Sequence, residues 1–275
     1  MTRFLIVPQW QGSPASRAML LVDGATAIAG DLPRKDTTVL DVPLEAGESL
    51  GTGVRRLSSL LRVRELIVEH MTDADDQIVL VGGDCSVSVF ALSAIDTSDL
   101  AVLWCDAHPD LNDPSTSPSG AFSGMSLGAV LGDGEPQLAL NPGIPAERVV
   151  LLGARSVDDG EKSRLDALRT LSPEDAQDPD AVAEALRATG ASRVWVHIDV
   201  DVIDPSEFEG VSDAEPFGVS TAALAAAVKR VRQDLPLAGA TIAGFAPRSP
   251  ADAVQDMGAI LRLIGSVAWR GARHE

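Results

Sequence analysis

Two short stretches place carboxylates and imidazoles at every second position: DAHPD, with Asp106, His108 and Asp110, and HIDVD, with His197, Asp199 and Asp201. Residues two apart on an extended chain project from one face. Each stretch is therefore expected to present its side chains together, as oxygen and imidazole donors for one or two hard to borderline cations such as Mn²⁺. The competing reading is of ordinary solvated acids at strand ends. Burying so many carboxylates beside apolar strands is very costly unless a cation neutralises them, which favours the metal reading. A third stretch, VGGDCSVS, puts a thiol, Cys85, where another hard ligand would be useful.

These residues need a frame, and the chain supplies one. Short β-branched runs at 4–7, 37–42, 78–83, 100–106, 148–155, 193–201 and 240–245 alternate with amphipathic stretches near 53–74, 86–96, 179–190, 219–234 and 251–264. Alternation of nearly continuous apolar strands with helices predicts a parallel sheet covered on both faces. Such sheets bind ligands outside the carboxyl ends of their strands, and the acid stretches fall at those ends. The Pro-, Ser- and Gly-rich segment 109–123 directly follows the first of them and reads as an active-site loop rather than a linker. Cys105 alternates to the face opposite Asp106 and reads as core.

Composition narrows the function classes. A chain of 275 residues with no repeat or break in composition reads as a single α/β domain, 1–275. Hydrophobic residues make up 45% without any run as long as a membrane span. The opening MTRFLIVPQWQG has an apolar stretch of only four residues, which reads as a first strand rather than a secretory signal. Two cysteines and no export signal point to a reducing cytoplasm. A net charge of −18 disfavours nucleic acid and other polyanions. The acidic surface reads as a solubility device, with attraction of a cationic substrate as the second reading. A small molecule is the expected partner, with neither nucleic acid nor membrane, and a homo-oligomer is left open.

GGDCS, DAHPDLN and HIDVDVIDP resemble the three signature motifs of the ureohydrolase family, which includes arginases, agmatinases and formiminoglutamases. The resemblance runs over most of the chain. It implies a three-layer α/β/α sandwich around a mainly parallel sheet, and hydrolysis of a guanidino or amidino group at a pair of Mn²⁺ ions. Asp106 and Asp199 would bridge the ions, His108 and Asp201 would complete one site, and Asp110 and Cys85 the other. The family motif normally has histidine at residue 85. A soft thiolate suits Mn²⁺ poorly, so that site is expected to be the weaker.

The resemblance also assigns the substrate contacts. Asn112 and Ser119 match residues that hold an α-carboxylate in the arginase branch, and Asp158 and Glu161 match those that hold an α-amino group. Agmatine, which lacks the carboxylate, is disfavoured. The family's loop histidine is replaced by Ser123, and the acid that pairs with the guanidinium is missing, with Pro247 at the nearest position. Glu215, in the unusual SDAEP segment, is expected near the scissile group or else on a surface loop. His197 reads as a strand histidine with a local hydrogen bond, on a face that permits a role near the metals.

A guanidinium stays charged at physiological pH, and an unpaired one binds badly. A neutral N-hydroxyguanidine suits the altered end better. The expected substrate is Nω-hydroxy-L-arginine, cut to L-ornithine and hydroxyurea, as in the similar arginase-like hydrolase of D-cycloserine biosynthesis, an antibiotic pathway. Asp110 is expected to relay the proton. Plain L-arginine hydrolysis is the nearest rival. A catalytically weak amino-acid-binding protein would bind ligand and metal without turnover, and a deacylase similar to histone deacetylases would bind a single Zn²⁺.

Overall fold

The computed structural model describes residues 2–71 and 77–269. In chain order the elements are β1 (Thr2–Ile6), α1 (Leu20–Asp31), β2 (Thr37–Val39), α2 (Leu57–Met71), β3 (Gln77–Val81), α3 (Ser86–Leu92), β4 (Leu100–Cys105) and α4 (Ser126–Val130). There follow β5 (Val149–Leu152), α5 (Lys162–Leu165), β6 (Arg169–Leu171), α6 (Pro179–Arg187), β7 (Arg193–Asp199), α7 (Thr221–Asp234), β8 (Leu237–Ala243) and α8 (Pro250–Ala268). All eight strands pair in parallel, in the order β2-β1-β3-β8-β7-β4-β5-β6. The expected α/β/α sandwich is therefore the fold.

Period-two alternation along the strands makes the two cores. Ile6, Val81, Leu103 and Val196 face a core with α1, α6, α7 and α8. Their neighbours Leu5, Leu80, Trp104 and Trp195 face another with α2, α3 and α4. The three later helices start at readable caps. Asp178 accepts from the amides of Asp180 and Ala181 ahead of Pro179, and Ser220 and Ser249 cap α7 and α8 in the same way.

Several boundaries differ from the expectation. The run 148–155 stops as a strand at Leu152, and 86–96 stops as a helix at Leu92. The helix expected over 53–74 spans Leu57–Met71, and 72–74 lie outside the described residues. β6, α1, α4 and α5 were not expected from the sequence pattern. β6 has only three residues, none buried, and α1 carries Gly24 and Gly30 without a side-chain cap. A Cβ at Gly24 would stand 2.0 Å from the Phe245 carbonyl oxygen, so packing sets that glycine against its helix propensity.

The order of the sheet brings β3, β8, β7 and β4 together at its centre. Their carboxyl ends carry Cys85, Gly244, Asp199 and Asp106 respectively.

Candidate metal centre and substrate cavity

A cavity of about 490 Å³ opens at these four strand ends. Cys85, Asp106, His108, Asp110, Asp199 and Asp201 all line it. Cys85 reaches it because Gly82 and Gly83, with φ of 96° and 73°, turn the chain sharply between β3 and α3. Asp84 lines the cavity but does not join the donors, its carboxylate being held by Gln9 Nε2 at 2.8 Å and by the amide and hydroxyl of Ser86.

The local geometry differs from the one expected. β4 ends at Cys105, so Asp106, His108 and Asp110 do not share a strand face. They converge because the loop folds back. Asp106 Oδ1 accepts the His108 amide at 2.7 Å, and Asp110 takes a left-handed φ of 54°. Asp199 is the last residue of β7, and Asp201 sits in the tight turn beyond it, its amide donating to Asp199 Oδ1 at 3.0 Å. Asp201 Oδ1 accepts the Ala107 amide at 3.1 Å and ties the two loops together.

Two donor groups result. Ligand atoms of Asp106, His108 and Asp201 lie within 4.8 Å of one another. His108 Nδ1 is 3.1 Å from Asp201 Oδ2 and 3.5 Å from Asp106 Oδ1. On the other side, the Cys85 thiol donates to Asp199 Oδ2 at 3.1 Å, and Asp106 Oδ2 lies 3.6 Å from the same sulfur.

The electrostatics identify what this cluster lacks. Burial, and then the neighbouring carboxylates, push Asp110 and Asp199 well above the usual carboxyl range. Asp201 is raised by burial and by Asp106. Burial and the surrounding acids likewise push the Cys85 thiol well up. Asp106 goes the other way. Burial would raise it, but the neighbouring His108 and His197 imidazoles outweigh that and hold it low. His108 is raised, burial being overcome by Asp106 and Asp201. Asp110 Oδ2 and His197 Nε2 are buried without any hydrogen-bond partner. Mutually repelling buried acids with orphaned donor atoms are what a site shaped around cations looks like without them. The donor set fits divalent ions.

The rest of the cavity is built from loops. Asn112, Ser119, Ser123, Asp158 and Glu161 all line it. Asn112 Nδ2 donates to Asp158 Oδ2 at 2.9 Å, which leaves Asn112 Oδ1 buried and unpartnered. Glu161 accepts the Leu111 amide on one oxygen and the Asp158 amide on the other, each at 2.9 Å. Its first action is thus to clamp the two loops, more than to offer a free carboxylate. Ser119 Oγ accepts the Ala121 amide at 3.1 Å.

The β8 end requires a correction. Pro247 does not line the cavity, whereas Gly244 does. Gly244 has φ of 84°, and a Cβ there would stand 2.1 Å from Asp199 Oδ1. The position facing the cavity from β8 is therefore this glycine, three residues before the proline. Glu215 is half-buried, and its carboxylate groups with His108 and Asp213 within 4.8 Å. Arg155 pins that segment, donating to the carbonyls of Asp201 and Glu215 at 2.9 Å each. Sequence reading missed Asp213, which lines the cavity and stands in the same SDAEP segment. It also missed Ser13, from the loop after β1, for which no local pattern gave a signal.

A sequence model of the arginase family matches residues 22–267. An arginase from Bacillus caldovelox is 36% identical over 192 residues, which is 62% of this chain and 64% of that enzyme, just under two thirds of its length. An N(omega)-hydroxy-L-arginine amidinohydrolase from Streptomyces lavendulae is 29% identical over 272 residues, 94% of each chain. The crystal structure of Entamoeba histolytica arginase in complex with L-ornithine superposes with a TM-score of 0.84 at 21% identity, covering 97% of each chain, and so agrees in fold. With the family model spanning nearly all of its length, and a cluster of candidate metal ligands at the strand ends, the chain belongs to the arginase family.

Proposed function

We propose that this arginase-family guanidino hydrolase acts on Nω-hydroxy-L-arginine and releases L-ornithine and hydroxyurea, with two Mn²⁺ ions as its resident cations. Asp106 and Asp199 would bridge the ions, with His108 and Asp201 on one and Asp110 and Cys85 on the other. The Cys85 side would hold Mn²⁺ more weakly, since thiolate is the softer donor. The cavity volume suits one amino acid.

The observation that carries the substrate reading is Gly244. No acid reaches the scissile end from β8, and Asp199 occupies the space in which a side chain would begin. A permanently charged guanidinium would go unpaired on that wall, while the less basic N-hydroxyguanidine can sit there neutral. The Streptomyces lavendulae relative is named for this substrate and matches along nearly the whole chain. L-arginine hydrolysis is the second reading. Asp213 favours it, because its carboxylate also lines the cavity and could meet a cation.

In the mechanism, the cation pair supplies a nucleophile at neutral pH and Lewis acidity towards the bond to be cut. Asp158 and the free Oδ1 of Asn112 accept from the α-ammonium, and Ser119 donates to the α-carboxylate. Ser123 offers its hydroxyl to the substrate N-hydroxyl. Asp110 Oδ2, buried and without a partner, accepts a proton from the attacking water and returns it to the departing ornithine nitrogen. Glu215 stands beside His108, a carboxylate oxygen within 4.8 Å of the ring nitrogen.

A product assay with Mn²⁺ on arginine, Nω-hydroxy-L-arginine, agmatine and formiminoglutamate tests the reading. The hydroxylated amino acid should have a kcat/KM about a hundredfold above arginine, because an unpaired buried cation costs about 3 kcal/mol. Equal constants would remove the argument from Gly244.

A further inference from the structure

His197 is fully buried on β7 and stacks on Trp104 with ring centroids 3.7 Å apart. Its Nδ1 lies 2.9 Å from Ser88 Oγ. The Ser88 hydroxyl donates to Thr241 Oγ1 at 2.8 Å and accepts from Trp195 Nε1 at 3.3 Å. With its one proton committed to Thr241, Ser88 can only accept from the ring. Nδ1 therefore carries the ring hydrogen, and Nε2 presents a lone pair. That lone pair has no partner and faces Asp106, whose Oδ2 is 3.9 Å away. The same oxygen is 3.6 Å from Cys85 Sγ. An imidazole fixed through one nitrogen, with the other unpartnered beside a thiol and a carboxylate, has the arrangement of a metal-binding histidine.

We propose that Cys85, Asp106 and His197 form a sulfur, oxygen and nitrogen site that takes Zn²⁺ or Co²⁺ in preference to Mn²⁺ at the second position of the centre. This rests on the two-cation reading and revises it at one position: the second ion is Zn²⁺ or Co²⁺ in place of Mn²⁺, and His197 in place of Asp110 completes its donors, which leaves Asp110 Oδ2 to its role as proton acceptor. The imidazole that the family motif places at residue 85 is supplied from β7 instead. Bond lengths of about 2.3 Å to sulfur and about 2.1 Å to oxygen or nitrogen put the donors of a tetrahedral ion about 3.4 to 3.6 Å apart. The sulfur to oxygen separation of 3.6 Å already meets this, and the nitrogen needs to close by only a few tenths of an ångström from 3.9 Å. Asp199 Oδ2, 3.1 Å from the sulfur, is the fourth donor. The thiol proton leaves to solvent as the ion binds. A set with thiolate and imidazole favours Zn²⁺ and Co²⁺, which also lie above Mn²⁺ in the general affinity order.

The test is X-ray absorption at the zinc edge on the full chain loaded with two equivalents of Zn²⁺, together with metal titration of the parent and of His197→Asn. The parent should show one sulfur and two imidazoles per two zinc ions, from Cys85, His108 and His197. Removing His197 should lower second-site Zn²⁺ affinity at least about tenfold and leave the first site unchanged. Two zinc ions sharing a single imidazole, or lacking sulfur, would overturn the proposal. So would a variant with unchanged affinity. If the variant does not fold, the parent's imidazole count still decides. A single zinc with one sulfur and one imidazole, lost in the variant, would uphold this site and remove the two-cation reading.

Discussion

The two ends of the cavity are built on opposite principles. At the amino acid end, loops brace one another through hydrogen bonds: Glu161 clamps two amides, Asn112 ties to Asp158, and Arg164 holds the Leu111 carbonyl at 3.0 Å and Asp113 at 2.6 Å. At the strand ends, acids crowd together with raised affinities for protons, and Asp110 Oδ2 and His197 Nε2 have no partner. One end is braced without its ligand and leaves a single buried acceptor, Asn112 Oδ1, unpartnered. The other is stable in that form only when a cation balances it. On the proposed function, specificity for the amino acid and power over the bond would be held by separable sets of residues.

The sharpest way to break this separation is Asp199→Ala. Activity should fall by about a hundredfold to a thousandfold or more, and bound metal should fall with it in elemental analysis. Near-parental turnover would remove the two-cation mechanism. At the other end, Asp158→Ala should raise KM for the amino acid about tenfold, the scale of a lost charge-assisted hydrogen bond, while metal content stays at the parental level. Loss of metal in that variant would show that the ends are coupled. Cys85→His should strengthen second-site Mn²⁺ binding, by up to about tenfold in a titration, because imidazole suits that ion better than thiolate. Arginine turnover need not appear, since neither Ser123 nor Gly244 is changed. Weaker or equal binding would mean that the thiol is not a ligand.

The smallest effect is on stability. Asp110, Asp199 and Asp201 have raised affinities for protons in the folded chain, and so does His108. The folded state then binds more protons than the unfolded one, so stability falls as pH rises from about 4 towards 8. Asp106, held low, contributes with the opposite sign. Cation-free protein should therefore melt at lower temperature as pH rises across this window, and Mn²⁺ should flatten the trend. A melting temperature that climbs with pH in chelator would contradict the charge picture of the strand ends.

Much of this was legible in sequence. The long apolar strands declared the sheet, because burial on both faces leaves no polar positions to confuse the pattern. The donor residues were legible as types and spacing, but their convergence was read from strand alternation, and it arises instead from a folded-back loop and a left-handed Asp110. β6 and α1 were silent because edge exposure and glycines set by packing erase periodicity. Gly244 was hidden for a related reason. A missing side chain gives no motif, and which residue after β8 meets the cavity depends on where the strand stops. The partners of His197, at Ser88 and Thr241, come from α3 and β8, far apart in the chain.

The close approach of Gly244 to Asp199 also constrains how this lineage can change. Any substitution at residue 244 brings a Cβ to within 2.1 Å of a carboxylate oxygen and asks for a positive φ that other residues resist. An acid cannot be added there in one step without displacing the Asp199 carboxylate. A descendant that came to bind a charged guanidinium through this wall would first need the backbone at 244–249 to move. The expected order of mutations is then backbone first and acid second, because the acid alone would push Asp199 out of its place.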